Sequence, residues 1–274
     1  MSHPLSLAFL TLFDCPPLEA IQAAAASGFD RIGLRLLPAA PTESPYPILT
    51  DERVFQEVLA ALADTALAVA DVEIVRLKEG VSIPSFSPFL ERAARMGAKH
   101  VLVAGDDGDP SRLTDSFGTF CRLAAQFGLT GDLEFMPWTK VPDLATASAI
   151  VEGAGEANGG LLVDALHLDR STTTLDEVAA LPRARVNYVQ FCDGPAVYDP
   201  SDEGMIHIAR AARLFPGEGG IDLVGLARVI PDDVTISVEV PNHALAKTSS
   251  PHERAAKAIA STRAILKAAL EPLS

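Results

Sequence analysis

The feature that most constrains this chain is a repeat of pattern. Short apolar or β-branched runs recur along it, and almost every one is followed by a segment with helical periodicity. The runs span Leu5 to Leu10, Arg31 to Leu36, Val69 to Val75, His100 to Ala104, Asp132 to Phe135, Gly160 to Asp164, Val186 to Phe191 and Thr235 to Val240. Between them lie alanine-rich segments: Leu18 to Ser27, Asp51 to Asp64, Pro88 to Met96, Arg112 to Phe127, Leu144 to Gly153 and Arg254 to Leu270. Strand followed by helix, repeated, is the signature of parallel βα units. Gly28, Gly97, Gly128 and Gly153 close or follow helical stretches and are suited to the left-handed turn that ends a helix. Eight such units in 274 residues predict an α/β chain folded as a single closed (β/α)8 barrel. No linker or composition shift divides it, so residues 1–274 are expected to form one domain, with the Pro-rich stretch Pro38 to Pro47 as a loop.

Composition narrows the function. With 48% hydrophobic and 21% charged residues the chain is too apolar to remain disordered. A net charge of −14 disfavours nonspecific binding to nucleic acid or anionic membrane. Cys15, Cys121 and Cys192 are odd in number and widely spaced, which argues against a disulfide framework. The start carries no basic leader, and the apolar stretch from Val58 to Ala70 is interrupted by Asp64, so a soluble cytoplasmic protein is expected.

In a barrel of this type the chemistry sits at the carboxyl ends of the strands, so polar residues that end apolar runs carry the most information. Glu134 lies next to the last residue of the fifth run, Asp164 ends the sixth, and Gln190 and Glu239 lie next to the last residues of the seventh and eighth. Three carboxylates and an amide oxygen at one mouth would place about −3 in a small volume, and their repulsion calls for a cation. One divalent metal ion is the simplest answer. Oxygen donors favour Mg²⁺ or Mn²⁺, with Co²⁺ or Zn²⁺ able to substitute. Singly, each acid reads equally well as half of a structural ion pair; four on consecutive strands favour a site.

His167, three residues beyond Asp164 in the loop after the sixth run, is a substrate contact or general acid/base, or else orients Asp164. Arg213 precedes a glycine-rich turn and either holds a substrate hydroxyl, carboxylate or phosphate or is an ordinary surface arginine. Arg35, Glu73 and Arg76 end the second and third runs and either read the distal part of a substrate or form a buried ion pair. Asp193 is expected to orient a ligand or loop, His207 lies in a long loop that either covers the site or is solvated, and Asp106 to Asp109 reads as a solvated acidic turn.

Glu134 in Leu-Glu-Phe, Asp164-Ala-Leu-His167, Val-Gln190-Phe-Cys-Asp193, Arg213 with Pro216-Gly217-Glu218-Gly219, and Glu239-Val-Pro-Asn together resemble the sugar phosphate isomerase/epimerase family of xylose-isomerase-like TIM barrels. The resemblance implies that Glu134, Asp164, Gln190 and Glu239 bind one divalent metal and that Glu134 and Glu239 also move protons. The substrate would then be a small polyhydroxylated carbonyl compound, isomerised or epimerised through an enediolate. Gln190 departs from the histidine common among ketose epimerases, and a Glu/Asp/Gln/Glu set also resembles 3-dehydroshikimate dehydratases, which makes a lyase on a hydroxy acid the alternative. Six histidines and the acidic balance argue against the related DNA-repair endonucleases, and a non-enzymatic scaffold would bind no metal. A homodimer is common among similar proteins; here Ala20 to Ala26 and Ala255 to Ala269 are apolar faces that pack on the barrel or on a second subunit.

Overall fold

The computed structural model describes residues 3–40, 43 and 46–272. Eight parallel strands close on themselves in sequence order: β1 (Leu5–Leu7), β2 (Arg31–Arg35), β3 (Ala68–Leu77), β4 (His100–Gly105), β5 (Thr130–Glu134), β6 (Gly159–Asp164), β7 (Val186–Phe191) and β8 (Thr235–Val238). The β8–β1 pairing, Leu5 with Ile236 through Leu7 with Val238, completes the ring. All eight expected strands are present within a few residues. The largest shift is at β1, where Phe9–Leu12 turns into a 3-10 helix, and β3 runs on to Leu77.

The helices form where their ends can be capped. Asp51, Asp109 and Asp143 each accept backbone N–H groups at a helix start, and Ser250 and Glu253 form a reciprocal cap on the last helix, Pro251–Ala269. One terminator differs from expectation: Gly153 lies inside the helix Leu144–Ala154, and it is Gly155, at φ 70°, that takes the left-handed turn. The Pro-rich stretch 38–47 falls partly on residues 41, 42, 44 and 45, outside the described residues, and its last residue opens a short helix, Pro47–Thr50. The alanine faces at 20–26 and 255–269 pack against each other within this chain, with Ala23, Ala24, Ala255 and Ala258 buried. Among the described residues no helix is long and apolar enough to cross a membrane.

Most of the core lies between sheet and helices, where a single tight contact shows how closely it is packed. A Cβ on Gly105, at the end of β4, would lie 2.6 Å from Val141 Cγ2 and 3.0 Å from Leu113 Cδ2. Gly105→Ala is therefore expected to cost about 1–3 kcal/mol by overpacking, measured as a lower midpoint in urea with an unchanged slope.

The barrel interior is different in kind. Ile74, Leu102, Ala104, Met136, Leu162 and Tyr188 form an apolar plug. Beside it Ser6, Asp71, Tyr188 and Ser237 are buried with a polar atom that has no protein partner. Ser6 and Ser237 are register neighbours on β1 and β8, and Gly33 on β2 leaves the space that Asp71 fills: a Cβ there would meet Asp71 Oδ1 at 2.9 Å.

Candidate active site

Parallel strands bring their carboxyl ends to one face, and there Glu134, Asp164, Gln190 and Glu239 join into a single network, all buried. Gln190 Nε2 donates to Glu239 Oε1 (2.8 Å), while Gln190 Oε1 is buried without a partner. Arg213 stands between Asp164 Oδ2 (2.6 Å) and Glu239 Oε2 (3.0 Å), and its own Nε is held by the carbonyl of Ala209. Arg213 is thus buried among the carboxylates, which removes the surface-arginine reading. Both Glu134 and Glu239 line a cavity of about 400 Å³ together with His167 and Arg213.

His167 is not in a loop. Asp164 Oδ1 accepts the N–H groups of Leu166 and His167 and starts the helix Ala165–Arg170, so β6 passes directly into a helical turn. That turn aims the imidazole back over the strand end, with Nε2 3.5 Å from Glu134 Oε1 and the ring edge-on to Trp138 at 5.0 Å. Glu134, Asp164 and His167 each bring one ligand atom within 4.8 Å of one another. A buried site of this Glu/Asp/His composition can coordinate a divalent metal, and the unpartnered Gln190 oxygen adds a further donor of the right chemistry at the same mouth.

The electrostatics separate the acids. Burial raises Glu134 well above the usual carboxylate range, and the charges of Asp164 and Glu239 push the same way. Burial likewise raises Glu239 to about 8, against the pull of Arg213. Asp164 is equally buried, yet Arg213 and the His167 side hold it below its ordinary value. Burial takes His167 down to about 4, so it is neutral at pH 7. Arg213 thus favours the ionised form of Asp164, while burial favours the protonated forms of Glu134 and Glu239.

A group raised in the folded state stabilises fully below its unfolded value and loses that contribution as pH rises. For Glu239 in metal-free protein the window runs from the ordinary 4.5 up to about 8. Binding of Mn²⁺ at pH 7 is accordingly expected to release about one proton or more, read by calorimetry in buffers of different ionisation enthalpy. A binding heat independent of the buffer would show these carboxyls already ionised.

Of the remaining expected residues, Arg35, Glu73 and Arg76 line the cavity, and Asp106 to Asp109, Asp193 and His207 do not. Arg35 and Glu73 form a buried ion pair (2.8 Å), and both face the cavity. Arg76 also lines it, but its Nη1 pairs with Asp106 (2.7 Å) and its Nε donates to the Ala39 carbonyl. The turn Asp106 to Asp109 is not simply solvated: Asp107 is buried against Arg112 (2.6 Å), and Asp109 caps the helix Pro110–Ala125. Asp193 accepts the N–H groups of Gly194, Gly217, Gly219 and Ile221, so the amides of the glycine turn are committed to it. His207 lies on the helix Asp202–Ala211 rather than in a loop, exposed and away from the cavity lining. Sequence reasoning missed Trp138, Phe9, Tyr46 and Arg210, all of which line the cavity. Trp138, two residues beyond Met136 in the loop after β5, was the one with a readable signal, as an aromatic just past a strand-end acid.

Fold and site together define the class. Residues 21–265 match the xylose isomerase-like TIM barrel model, and the chain belongs to that family. Among curated proteins it is 29% identical over 257 residues to a 3-dehydroshikimate dehydratase of Pseudomonas aeruginosa, an alignment covering 86% of this chain and 38% of that protein. The chain thus spans about two fifths of the length of this relative. Among solved structures it is similar to the IOLI protein with a binding zinc atom (TM-score 0.81, 16% identity, 98% of this chain and 100% of that one). It is also similar to the D-allulose 3-epimerase of Methylomonas sp. (TM-score 0.70, 15% identity, 96% and 97% of the two chains). At these identities the likeness is one of fold.

Proposed function

We propose that this chain is a metal-dependent enzyme of the sugar isomerase/epimerase type, which moves a proton next to the carbonyl of a small hydroxylated substrate. The observation that carries the reading is the pair Glu134 and Glu239. These two buried carboxyls face one cavity from β5 and from just beyond β8. A carboxyl poised near the working pH both takes and returns a proton efficiently. Two of them at one cavity allow removal at one glutamate and return at the other, which inverts or relocates a stereocentre. Neutral His167, beside Glu134, donates a hydrogen bond to a substrate oxygen without adding charge. Arg213 keeps Asp164 ionised and holds Glu239 in place.

The group held by Glu134 and Asp164, with Gln190 and Glu239 or with His167, would be a divalent ion that polarises the substrate carbonyl and stabilises the charge developing on its oxygen. The oxygen-rich donor set fits Mg²⁺ or Mn²⁺, and imidazole brings Co²⁺ and Zn²⁺ into range.

A second reading, a carbon–oxygen lyase of the 3-dehydroshikimate dehydratase type, is supported by the Pseudomonas relative and by glutamine rather than histidine at position 190. Both reactions begin with the same proton abstraction, and they part when a β-hydroxyl leaves. The test is incubation of Mn²⁺-loaded protein with ketoses, aldoses and 3-dehydroshikimate in D₂O, followed by NMR. Deuterium at a sugar carbon α to the carbonyl, abolished by EDTA and restored by Mn²⁺, is the expected result. Protocatechuate without sugar exchange would replace it by the lyase, and failure to exchange or convert any of these compounds would overturn both.

A further inference from the structure

Four arginines line the cavity: Arg35, Arg76, Arg210 and Arg213. Three are committed. Arg35 pairs with Glu73 at 2.8 Å and approaches Glu43 at 3.8 Å, Arg76 pairs with Asp106, and Arg213 spans Asp164 and Glu239. Arg210 differs from all of them: among the described residues its guanidinium meets no carboxylate and makes no side-chain hydrogen bond, and it is exposed where Glu134 and Glu239 are buried. It is therefore an exposed cation at a cavity whose carboxyls Glu73, Glu134 and Glu239 are buried.

The mouth is also built. Arg210 occupies the last turn of the helix Asp202–Ala211, and that helix is tied to the segment after β8 by the Ala212–Asn242 bridge and by Asn242 Nδ2 donating to the Arg213 carbonyl (2.9 Å). The next residue, His243, lines the same cavity with its ring laid on Phe13, centroids 4.6 Å apart. Two nitrogen donors thus flank the entrance on segments fixed to each other, beside an aromatic wall. A guanidinium can donate to a sugar hydroxyl, but its charge and planar fork are matched by a carboxylate or a phosphate.

We propose that Arg210, with His243, forms the subsite for an anionic group on the substrate, so that the compound processed at Glu134 and Glu239 is a hydroxy-carbonyl acid or a sugar phosphate rather than a neutral sugar. This inference rests on the reading of the cavity as the active site, and it assigns the charge of the substrate to a residue outside the acid/base machinery. None of the three arginines singled out from sequence takes this role, because each is already neutralised.

The test reads occupancy without turnover. Trp138 is the chain's single tryptophan and lines the cavity, so its fluorescence reports ligands there. Metal-loaded wild type, Arg210→Gln, Arg210→Lys and the distant control Lys257→Gln are titrated with two matched pairs: shikimate against its methyl ester, and ribulose 5-phosphate against ribulose. In wild type at least one anion is expected to bind about 10-fold or more tightly than its neutral partner. Arg210→Gln should abolish that difference without changing the neutral Kd, Arg210→Lys should keep part of it, and Lys257→Gln should keep all of it. The pair with the larger loss identifies carboxylate or phosphate.

Equal affinity for both members of each pair, or an anion Kd unchanged by Arg210→Gln, would overturn the proposal. So would the absence of any fluorescence response to the four ligands. The two readings fail separately. Deuterium exchange that survives with an Arg210-independent Kd sinks the subsite alone. Arg210-dependent anion binding without exchange or conversion of any compound sinks the isomerase and lyase readings and leaves the subsite standing.

Discussion

Glu239→Gln is expected to lower kcat about 10²–10⁴-fold while leaving the protein folded. The size of the effect follows from what the side chain can no longer do. Glutamine matches glutamate in shape, so the amide oxygen can still accept from Gln190 Nε2, whose present bond to Glu239 is 2.8 Å long. Arg213 keeps Asp164 as its ionic partner at 2.6 Å. What disappears is the carboxylate, the group able to take up and return a proton. Thermal unfolding near that of wild type, together with loss of deuterium incorporation, is the outcome that fits. Turnover within a few-fold of wild type would remove Glu239 from the reaction and leave Glu134 and His167 as the proton-moving groups.

Arg213→Leu is expected to be the most destabilising substitution at the site. The guanidinium lies buried between two carboxylates, at 2.6 Å and 3.0 Å, and a leucine there leaves Asp164 ionised in a low-dielectric pocket with no counter-charge. Removing one partner of a buried ion pair costs about 3–5 kcal/mol, which for a chain of this size lowers Tm by roughly 10 °C. Some of that loss is avoided by protonation, because Asp164 without Arg213 rises towards the values of its neighbours. The variant should therefore be less stable at pH 8 than at pH 5 by more than wild type is. Mn²⁺ should restore more Tm to Arg213→Leu than it adds to wild type, since a divalent ion supplies charge where the arginine did. A Tm within 2 °C of wild type, using the same conversion, would show that Arg213 is not the counter-charge.

The barrel was legible because its determinants are local. Each strand is an apolar run bounded by capping residues, and β7, Val186–Phe191, has the boundaries expected from sequence. The polar residues at the strand ends were legible for the same reason, since Glu134, Asp164, Gln190 and Glu239 interrupt apolar runs at one recurring position. What sequence hid was partnership across the ring. Nothing near Arg213 in the chain announces Asp164, 49 residues away, and nothing near Arg76 announces Asp106, 30 residues away. His167 was misplaced for a different reason: Asp164 was read as a metal ligand or half of an ion pair, although an Asp ahead of Ala-Leu-His is also a helix start. Its two oxygens serve both purposes, one bonded to the helix N–H groups and one turned to Arg213. Arg210 escaped notice because a charged residue in an amphipathic helix looks like any other until the cavity is seen beside it.

The unsatisfied hydroxyls and carboxyl of Ser6, Asp71, Tyr188 and Ser237 have an evolutionary consequence. They sit in the barrel interior, where a polar group without a protein partner contributes less to stability than a well-packed apolar side chain. Natural sequences tolerate such deficits as long as the fold stays above threshold. For this chain the deficit is a reserve. A lineage pressed by heat, or by destabilising changes at the substrate mouth, can recover stability by small apolar replacements at positions 6 and 237 without touching Glu134, Asp164 or Glu239. The interior layer lies apart from the strand-end residues at the cavity, so the two can change independently.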